Sequence, residues 1–430
     1  MKRAESLDEG PDVLENGQAA ALATQERRRF LGSSDPISFT CSCSDASDAA
    51  GLVLLFYRYY ASPPLLPQET QESPSSLAAF HGALANQHRL RGKIRLAAEG
   101  FNITVAGLRP AVMAYIEACT SHWSFAGLSL STPAQIHAFF KPTTGCACVF
   151  GTRPISIRVC AEITPMGVTG YQPSRWDNIG TLQPAEFHER CLEDNSLLID
   201  VRNHYESRIG YFVDGMGHAA LRPAIRRFSQ WPLYVRRVLA GDIVPRDSSD
   251  EHEATNKPNE PPKQILTYCT GGIRCEKGAR FLQEKLQPNS NQIFTLGGGI
   301  AAYLEWMDME IQGGRKRAED SLFKGRNYVF DARGSMSLSS GARTKPVSSC
   351  HLCGKSEDRL SKCHSSGCHL VLVVCKSCEL ENPRCCDHCL TLDLEFVLDE
   401  PTRAVGYRPI CECERTREAC LWGSKGFIKC

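Results

Sequence analysis

The feature that most limits how this chain can fold is a concentration of cysteines toward its C-terminal end. Nine of the 22 cysteines in the 430 residues lie between Cys350 and Cys389, with little apolar sequence around them. A segment that cannot form a hydrophobic core needs another source of stability. Clustered CxxC pairs in a reducing compartment typically bind metal rather than form disulfides. We therefore predict a small metal-binding module over residues 340–392.

The cysteines of this module form four pairs, CHLC (350–353), CHSSGC (363–368), CKSC (375–378) and CCDHC (385–389). Structural zinc is held by four ligands in a tetrahedron, so four pairs suit two zinc ions. In the simplest arrangement the first and third pairs share one ion and the second and fourth pairs share the other. A sequential arrangement is also open. The predicted ligands are Cys350, Cys353, Cys363, Cys368, Cys375, Cys378, Cys386 and Cys389.

Several alternatives remain for this module. Cys386 is preferred to Cys385 because it has the CxxC spacing with Cys389. An iron–sulfur cluster could use the same thiolates, and reduced thiols could instead pack in a small core. Four histidines could each replace a cysteine: His351, His364, His369 and His388. Four further cysteines with irregular spacing could hold another metal or none: Cys411, Cys413, Cys420 and Cys430.

A second constraint is the stretch LTYCTGGIRCEK (266–277), in which an apolar strand is followed by a cysteine, two glycines and a helix. Such a loop would curl around the sulfur of Cys269 at the carboxyl end of a strand, where α/β sheets place their ligands. Gly271 and Gly272 allow several N–H groups to turn inward, and the helix start adds positive potential. Together with the charge of Arg274, these elements predict a depressed pKa and a nucleophilic Cys269.

The other residues of this loop have supporting or open roles. Thr270 and Ile273 complete the predicted active-site loop. Cys275 could be a resolving thiol that forms a disulfide with Cys269, or an ordinary residue at the start of the helix. The alternative for the whole stretch is that Cys269 is a small core residue before a glycine turn.

The sequence before the cysteine-rich module predicts two further folded regions. In residues 46–170 the predicted elements follow the order β-α-β-β-α-β, with the first strand at 51–60 and the last at 155–163. This order favours a ferredoxin-like, or acylphosphatase-like, domain. In residues 175–318 strands and helices alternate, which is typical of a parallel α/β sheet. The predicted fold class is therefore α/β, with the zinc-binding module following the two larger domains.

Three segments lie outside these regions. Residues 1–45 are polar and are predicted to be a disordered leader, and residues 393–430 form a tail. Residues 246–262 are highly charged and are predicted to be a mobile insertion in the α/β domain. No apolar run has the length of a membrane span, and the N-terminal residues lack the apolar core of a signal peptide. We expect a cytoplasmic protein, with an organelle as the alternative.

The balance of charge limits which partners the sequence can indicate. The formal net charge is only +1, so any RNA-binding site must be a local patch. Residues 221–237 interleave five arginines with Phe228, Trp231 and Tyr234, a composition that could hold phosphates and stack bases. An ordinary amphipathic surface with buried aromatic residues is the alternative. The candidate RNA-binding residues are Arg222, Arg226, Arg227, Trp231, Arg236 and Arg237.

The pattern C-x-x-G-x-R after a strand, with LIDVRNxxExxxG upstream, resembles the rhodanese domain. In that family the loop cysteine carries a persulfide sulfur. The four residues between Cys269 and Arg274 match sulfur carriers, whereas the related phosphatases have a longer loop. Asp200 and Arg202 match the family's D-x-R signature, and the resemblance implies that they support the loop and strand. The sequence GYF at 210–212 departs from the usual G-H-I.

A wider set of motifs resembles the tRNA uridine hydroxylase family of rhodanese domain-containing proteins. These motifs run from GKIRLAAEGFNITVAG through RNHYESRIG, YCTGGIRCEKGARFL, TLGGGI and NYVFDAR to the cysteine pairs. The resemblance implies a tRNA partner, oxygen-dependent conversion of a wobble uridine to 5-hydroxyuridine, and a required loop cysteine. Residues 393–430 do not resemble the arginine-rich tail of bacterial members. The EGFN motif (99–102) could pack domains together or recognise a base.

Three functions are compatible with these features. The first is a tRNA uridine hydroxylase that uses molecular oxygen and an electron donor, which no residue here specifies. The second is a sulfurtransferase that takes sulfur from thiosulfate or another sulfane-sulfur donor and carries it as a persulfide on Cys269. The third is a zinc-containing adaptor that keeps an inactive loop, although the intact loop argues against it.

Overall fold

A computed structural model describes most of the chain between residues 51 and 422. The described residues are 51–62, 65–66, 73–151, 154–168, 171–173, 176, 179–239, 263–286, 292–331, 333–339, 345–365, 368, 370–398 and 411–422. The predicted leader (1–45) and the predicted insertion (246–262) lie outside this set, as do His369 and Cys430.

The N-terminal region is a five-stranded sheet with the strand order β4-β1-β3-β2-β5. Its core contains interlocking aromatic rings, and the ring centroid of Phe56 lies 4.7 Å from that of Phe140 and 5.9 Å from that of Phe101. The elements are β1 (Gly51–Tyr59), α1 (Pro74–Gln87), β2 (Arg91–Ala97), β3 (Gly100–Leu108), α2 (Arg109–Thr120), α3 (Pro133–Phe140), β4 (Thr143–Thr144) and β5 (Ser156–Val159).

This arrangement is the predicted ferredoxin-like fold, but the strand predicted at 155–163 has a different place. Strand β1 pairs antiparallel with β3 on one side and with β4 on the other, where Leu52 faces Thr144. The chain returns beside β1 directly after α3. Strand β4 therefore already occupies the edge of the sheet next to β1. Strand β5 is shorter than predicted and adds parallel to β2 at the opposite edge. Helix α3, which begins with a Thr132–Gln135 capping box and Pro133, is not predicted by the sequence analysis.

The middle of the chain is a four-stranded parallel sheet with the strand order β6-β10-β9-β7, which confirms the predicted α/β class. Strand β9 lies inside this sheet, and all five of its residues are buried. The elements are β6 (Gly180–Leu182), α4 (Pro184–Leu192), β7 (Ser196–Asp200), α5 (His204–Ser207), β8 (Gly210–Phe212), α6 (Trp231–Leu239), β9 (Gln264–Tyr268), α7 (Ile273–Lys285), β10 (Gln292–Leu296) and α8 (Gly299–Gln312).

The cysteine-rich region is built from short elements. It packs on the parallel-sheet region through a small apolar cluster in which Val371 and Val373 meet Ile209 and Tyr328. The remaining elements are β11 (Phe323–Gly325), β12 (Asn327–Tyr328), β13 (Ser335–Met336), β14 (Leu360–Lys362), β15 (Val371–Val373), α9 (Lys376–Glu379), α10 (Asp387–Leu398) and α11 (Glu412–Trp422). None of the helices within the described residues combines the length and apolar character that crossing a membrane requires.

Candidate active site and cysteine clusters

Cys269 lies at the carboxyl end of β9 and is almost completely enclosed, with 1 % of its surface exposed. The backbone N–H of Gly272 donates a hydrogen bond to its Sγ at 3.1 Å. Gly272 precedes α7 and has a φ of +100°, a conformation that glycine adopts without strain. The loop therefore turns its backbone donors toward the sulfur because a glycine occupies this position.

The environment of Cys269 favours the thiolate. Burial opposes ionisation, but the thiol of Cys275, the charge of Arg274 and the backbone N–H groups of both residues outweigh it. They lower the pKa of Cys269 to about 5. Burial and the neighbouring Cys269 raise the pKa of Cys275, so Cys275 stays protonated and can donate to the thiolate. Cys269 is therefore an ionised nucleophile at neutral pH.

Arg274 is fixed by a carboxylate that the sequence analysis does not assign a role. Its Nη1 and Nη2 atoms donate to Glu206 at 2.6 and 2.7 Å, and both residues are buried. Thr270 Oγ1 donates to the same carboxylate at 3.1 Å. The charge and hydrogen bonds of Arg274 outweigh burial and lower the pKa of Glu206. Glu206 is the glutamate of the sequence motif LIDVRNxxE, and it lies in α5.

Asp200 and Arg202 form a second buried ion pair, with Arg202 Nη2 donating to Asp200 Oδ2 at 2.7 Å. The same nitrogen donates to the carbonyl oxygen of Gly210 at 2.5 Å. The guanidinium also lies 5.8 Å from the ring centroid of Tyr268, the last residue of β9. These contacts connect β7 and β9 below the loop, in keeping with a supporting role.

The N-terminal sheet covers the loop. Tyr59 Oη donates to the carbonyl oxygen of Ile273 at 3.3 Å. A Cβ atom added to Gly272 would lie 2.9 Å from Tyr57 Oη, and one added to Gly271 would lie 3.0 Å from Leu55. The face of β1 therefore packs closely on the loop, and a side chain at either glycine would have to displace Leu55 or Tyr57.

A buried lysine joins the two sheets. Lys277 on α7 is 1 % exposed, and its Nζ donates to Glu99 at 2.9 Å and also to Glu162. Glu99 additionally accepts the backbone N–H of Ile163 at 2.8 Å. Of the two interpretations of EGFN, packing between domains is therefore the one that the contacts of Glu99 favour.

A cavity of about 420 Å³ opens between the two sheets beside the loop. Tyr57 and Ser62 line it from the N-terminal side, and Gly272, Glu276 and Arg280 line it from the loop and α7. The indole of Trp176 forms a further wall of the cavity. The Arg280 guanidinium lies 4.6 Å from the centroid of this ring. The cavity thus combines aromatic walls with one acidic and one basic group.

The first cysteine cluster matches the predicted pairing of the first and third cysteine pairs. The four Sγ atoms lie within 4.8 Å of one another: Cys350, Cys353, Cys375 and Cys378. Cys353 Sγ lies 3.7 Å from Cys375 Sγ. Four thiolates at such distances are a donor set that fits tetrahedral zinc.

The second cluster differs from the predicted one at one position. The sulfur atoms brought together are those of Cys363, Cys368, Cys385 and Cys389. Cys385 takes the place predicted for Cys386, because Cys385 N–H donates to Cys363 Sγ at 3.4 Å and its own Sγ lies 3.4 Å from Cys389 Sγ. Within the part of the chain that the structure describes, candidate ligand groups contain cysteines only, so none of the described histidines joins them.

The predicted RNA-binding patch is only partly a surface. Trp231 is fully buried, and its Nε1 donates to the carbonyl oxygen of Gly278 at 3.0 Å, so it cannot stack on a base. Trp231 is buried because the apolar face of α6 packs on α7. Arg226 pairs with the buried Glu414 at 3.1 Å. Arg222 and Arg237 are half-buried, whereas Arg227 and Arg236 are exposed.

The parallel sheet, the C-x-x-G-x-R loop and the low pKa of Cys269 define a rhodanese-type protein with a second domain over the loop. Two family models agree: "UPF0176 acylphosphatase like domain" at residues 51–146 and "Rhodanase C-terminal" at residues 324–390. Both matches agree with the resemblance to the tRNA uridine hydroxylase family of rhodanese domain-containing proteins that the sequence motifs indicate.

Two similar proteins agree with this resemblance. The chain is 31 % identical over 339 residues to "Rhodanese-like domain-containing protein 6" of Arabidopsis thaliana, a match that covers 76 % of this chain and 51 % of that protein. It is 29 % identical over 341 residues to "tRNA uridine(34) hydroxylase" of Bacillus mycoides, covering 78 % of this chain and 88 % of that protein. The chain thus spans about half the length of the plant relative and most of the bacterial one.

Proposed function

We propose that this protein is an enzyme that hydroxylates a wobble uridine of tRNA to 5-hydroxyuridine, with molecular oxygen as co-substrate and Cys269 as the catalytic cysteine. The observation that carries the proposal is the ionised Cys269 in a loop that borders a cavity between two domains. The relatives named tRNA uridine(34) hydroxylase support the choice of substrate and reaction.

The chemistry of a thiolate suits this reaction. A thiolate can add to C6 of a uracil ring, which places electron density on C5, the carbon that gains the hydroxyl group. One atom of O₂ enters at C5 and the other becomes water, so the reaction consumes two electrons and two protons. An external two-electron reductant, such as a thiol, supplies them. Cys269 leaves as the C5–C6 double bond re-forms.

The cavity offers a place for a single base. Its volume lies within the range of small-molecule sites, and a flipped-out nucleotide could enter while the rest of the tRNA stays outside. Tyr57 and Trp176 provide aromatic surfaces of the kind on which bases stack. Glu276 provides a polar partner for the edge of a uracil ring, and Arg280, held by the carbonyl oxygens of Trp176 and Glu276, adds a positive charge beside it.

The exposed arginines and the compartment complete the proposal. Arg227 and Arg236 are the members of the predicted patch that are open to phosphate contacts. Reduced thiols and tRNA occur together in the cytoplasm, which we propose as the compartment.

The test is nucleoside mass spectrometry on tRNA from cells that lack this protein and from cells that re-express variants. We expect 5-hydroxyuridine to disappear without the protein and to return with wild type but not with Cys269→Ser. Cys191→Ser is the matched control, because Cys191 is also buried but lies in α4, away from the loop. An unchanged level of 5-hydroxyuridine in the deficient cells would contradict the proposal.

A sulfurtransferase is the second candidate, favoured by the N–H of Gly272 at 3.1 Å from Sγ. In this reaction the thiolate attacks the outer sulfur of thiosulfate, sulfite leaves, and the persulfide passes its sulfur to a thiol or to cyanide. Thiosulfate treatment should then add one sulfur mass to the peptide that contains Cys269, and cyanide should remove it. A peptide of unchanged mass would exclude thiosulfate as the donor.

A further inference from the structure

The second cysteine cluster does not stand alone, because a third group of four sulfur atoms overlaps with it. This third group contains Cys385, Cys386, Cys389 and Cys411, again within 4.8 Å of one another. Cys385 and Cys389 belong to both groups. Together the two groups contain six different cysteines: Cys363, Cys368, Cys385, Cys386, Cys389 and Cys411.

The spacing of these sulfur atoms fits shared metal coordination. Tetrahedral zinc with Zn–S bonds of about 2.3 Å places its ligand sulfurs about 3.8 Å apart. Cys385 Sγ lies 3.4 Å from Cys389 Sγ and 3.4 Å from Cys411 Sγ, and 3.9 Å from both Cys368 Sγ and Cys386 Sγ. The sulfur of Cys385 therefore lies close to sulfur atoms of both groups, at about the separation expected for two ligands of one zinc ion. A thiolate that bridges two zinc ions requires this position.

Cys411 reaches this cluster from the tail of the chain, beyond the "Rhodanase C-terminal" match. It is 3 % exposed and directly precedes α11. Helix α11 is held on the parallel-sheet region, since Arg417 donates to the carbonyl oxygen of Ala224 at 2.6 Å and Glu414 pairs with Arg226 at 3.1 Å. The position of Cys411 is thus set by contacts independent of the other cysteines.

Cys413 lies close by but has a different role. Its Sγ donates to the carbonyl oxygen of Cys385 at 3.0 Å. Cys413 is not among the sulfur atoms that lie within 4.8 Å of one another in either group, so we assign it no metal. Two separate zinc sites would need eight cysteine ligands, whereas the two groups contain six cysteines between them. Two zinc ions can each have four sulfur ligands only if two of the six are shared.

We propose that these six cysteines hold two zinc ions, with Cys385 and Cys389 bridging them and Cys411 completing the second ion from the tail. With the first cluster, the chain then binds three zinc ions. Metal binding deprotonates the six thiols, and six thiolates with two Zn²⁺ carry a net charge of −2. The tail is consequently fastened to the module through Cys411.

Native mass spectrometry of the full-length protein tests the count. Wild type should carry three zinc ions, Cys411→Ser should carry two, and Cys413→Ser should still carry three. Two zinc ions in wild type would overturn the proposal, and three in Cys411→Ser would overturn the role of Cys411.

A second measurement on wild type does not depend on the folding of any variant. After replacement of zinc by ¹¹³Cd, NMR should show three cadmium resonances, two of which are coupled to each other through the bridging sulfurs. Three resonances without mutual coupling would overturn the bridging arrangement.

Discussion

Cys269 and the clustered cysteines of the C-terminal module are surrounded by different groups, although zinc binding at the clusters would make both kinds of cysteine sulfur anions. At Cys269 the donors belong to the protein itself: backbone N–H groups, the thiol of Cys275 and the charge of Arg274. In the clusters, sulfur atoms face mainly other sulfur atoms, so a metal ion has to supply the positive charge. A thiolate held by fixed donors keeps its lone pairs for reaction, whereas one that is bound to zinc in a closed site has a structural role.

The largest expected effect comes from removing the metal. A strong chelator should unfold the C-terminal module, because its core consists largely of cysteines and a zinc site supplies about 10 kcal/mol or more of folding free energy. Trypsin should then cut within residues 345–398, and added zinc should restore resistance. The rate of Cys269 alkylation at pH 7 should not change. If the C-terminal module still resisted trypsin after chelation, its folding would depend on metal no more than that of the Cys269 loop does.

The second prediction concerns the ion pair behind the loop. Glu206→Ala leaves the buried charge of Arg274 without its partner, which should lower the free energy of unfolding by about 3–5 kcal/mol. Urea denaturation of the full-length protein measures this change. Glu310→Ala is the control, since the Arg315–Glu310 pair is exposed on the arginine side and should contribute nothing measurable. Equal losses of unfolding free energy in both variants would mean that the burial of the Glu206–Arg274 pair does not increase its contribution to stability.

The third prediction uses pH. Because the pKa of Cys269 is lowered to about 5, its thiolate is present at neutral pH and is lost as the pH falls through 5. Alkylation of Cys269 by iodoacetamide should therefore slow by about tenfold between pH 7 and pH 4. Burial raises the pKa of Cys191, which should stay unlabelled over the same range. A labelling rate for Cys269 that rises steadily from pH 7 to pH 9 would contradict the stabilised thiolate.

The smallest effect should come from the contact between the two sheets. Glu99→Gln removes one of the two carboxylates that face Lys277, but Glu162 remains, so the loss of unfolding free energy should be about 1–2 kcal/mol. Glu117→Gln on the exposed side of α2 is the control. A loss as large as that of Glu206→Ala would make the contact between sheets as important as the support of the loop.

The local chemistry of the loop could be predicted from sequence because all of its parts are consecutive. Cys269, Gly272 and Arg274 lie within six residues, and the strand and helix on either side fix their geometry. The partner of Arg274 could not be assigned in the same way, since Glu206 is 68 positions away and becomes adjacent only in the folded sheet.

Other features depend on contacts that no periodic pattern reveals. Trp231 stands among arginines in the sequence, yet the fold places its ring against α7. Cys386 has the regular CxxC spacing, but the turn before α10 directs the neighbouring Cys385 toward Cys363. The packing of the N-terminal sheet over the loop also could not be predicted from the sequence, because it depends on how two separate sheets pack.

The packing of the N-terminal sheet over the loop has a consequence for the lifetime of the protein. A low-pKa thiolate is the form of cysteine that peroxide oxidises first, and oxidation beyond the sulfenic acid is irreversible for most proteins. Tyr57 and Tyr59 of the N-terminal sheet lie over the loop and help to keep Cys269 at 1 % exposure. The N-terminal sheet therefore slows the access of small reagents to the reactive sulfur, and the rhodanese-type region alone should react faster with both iodoacetamide and peroxide.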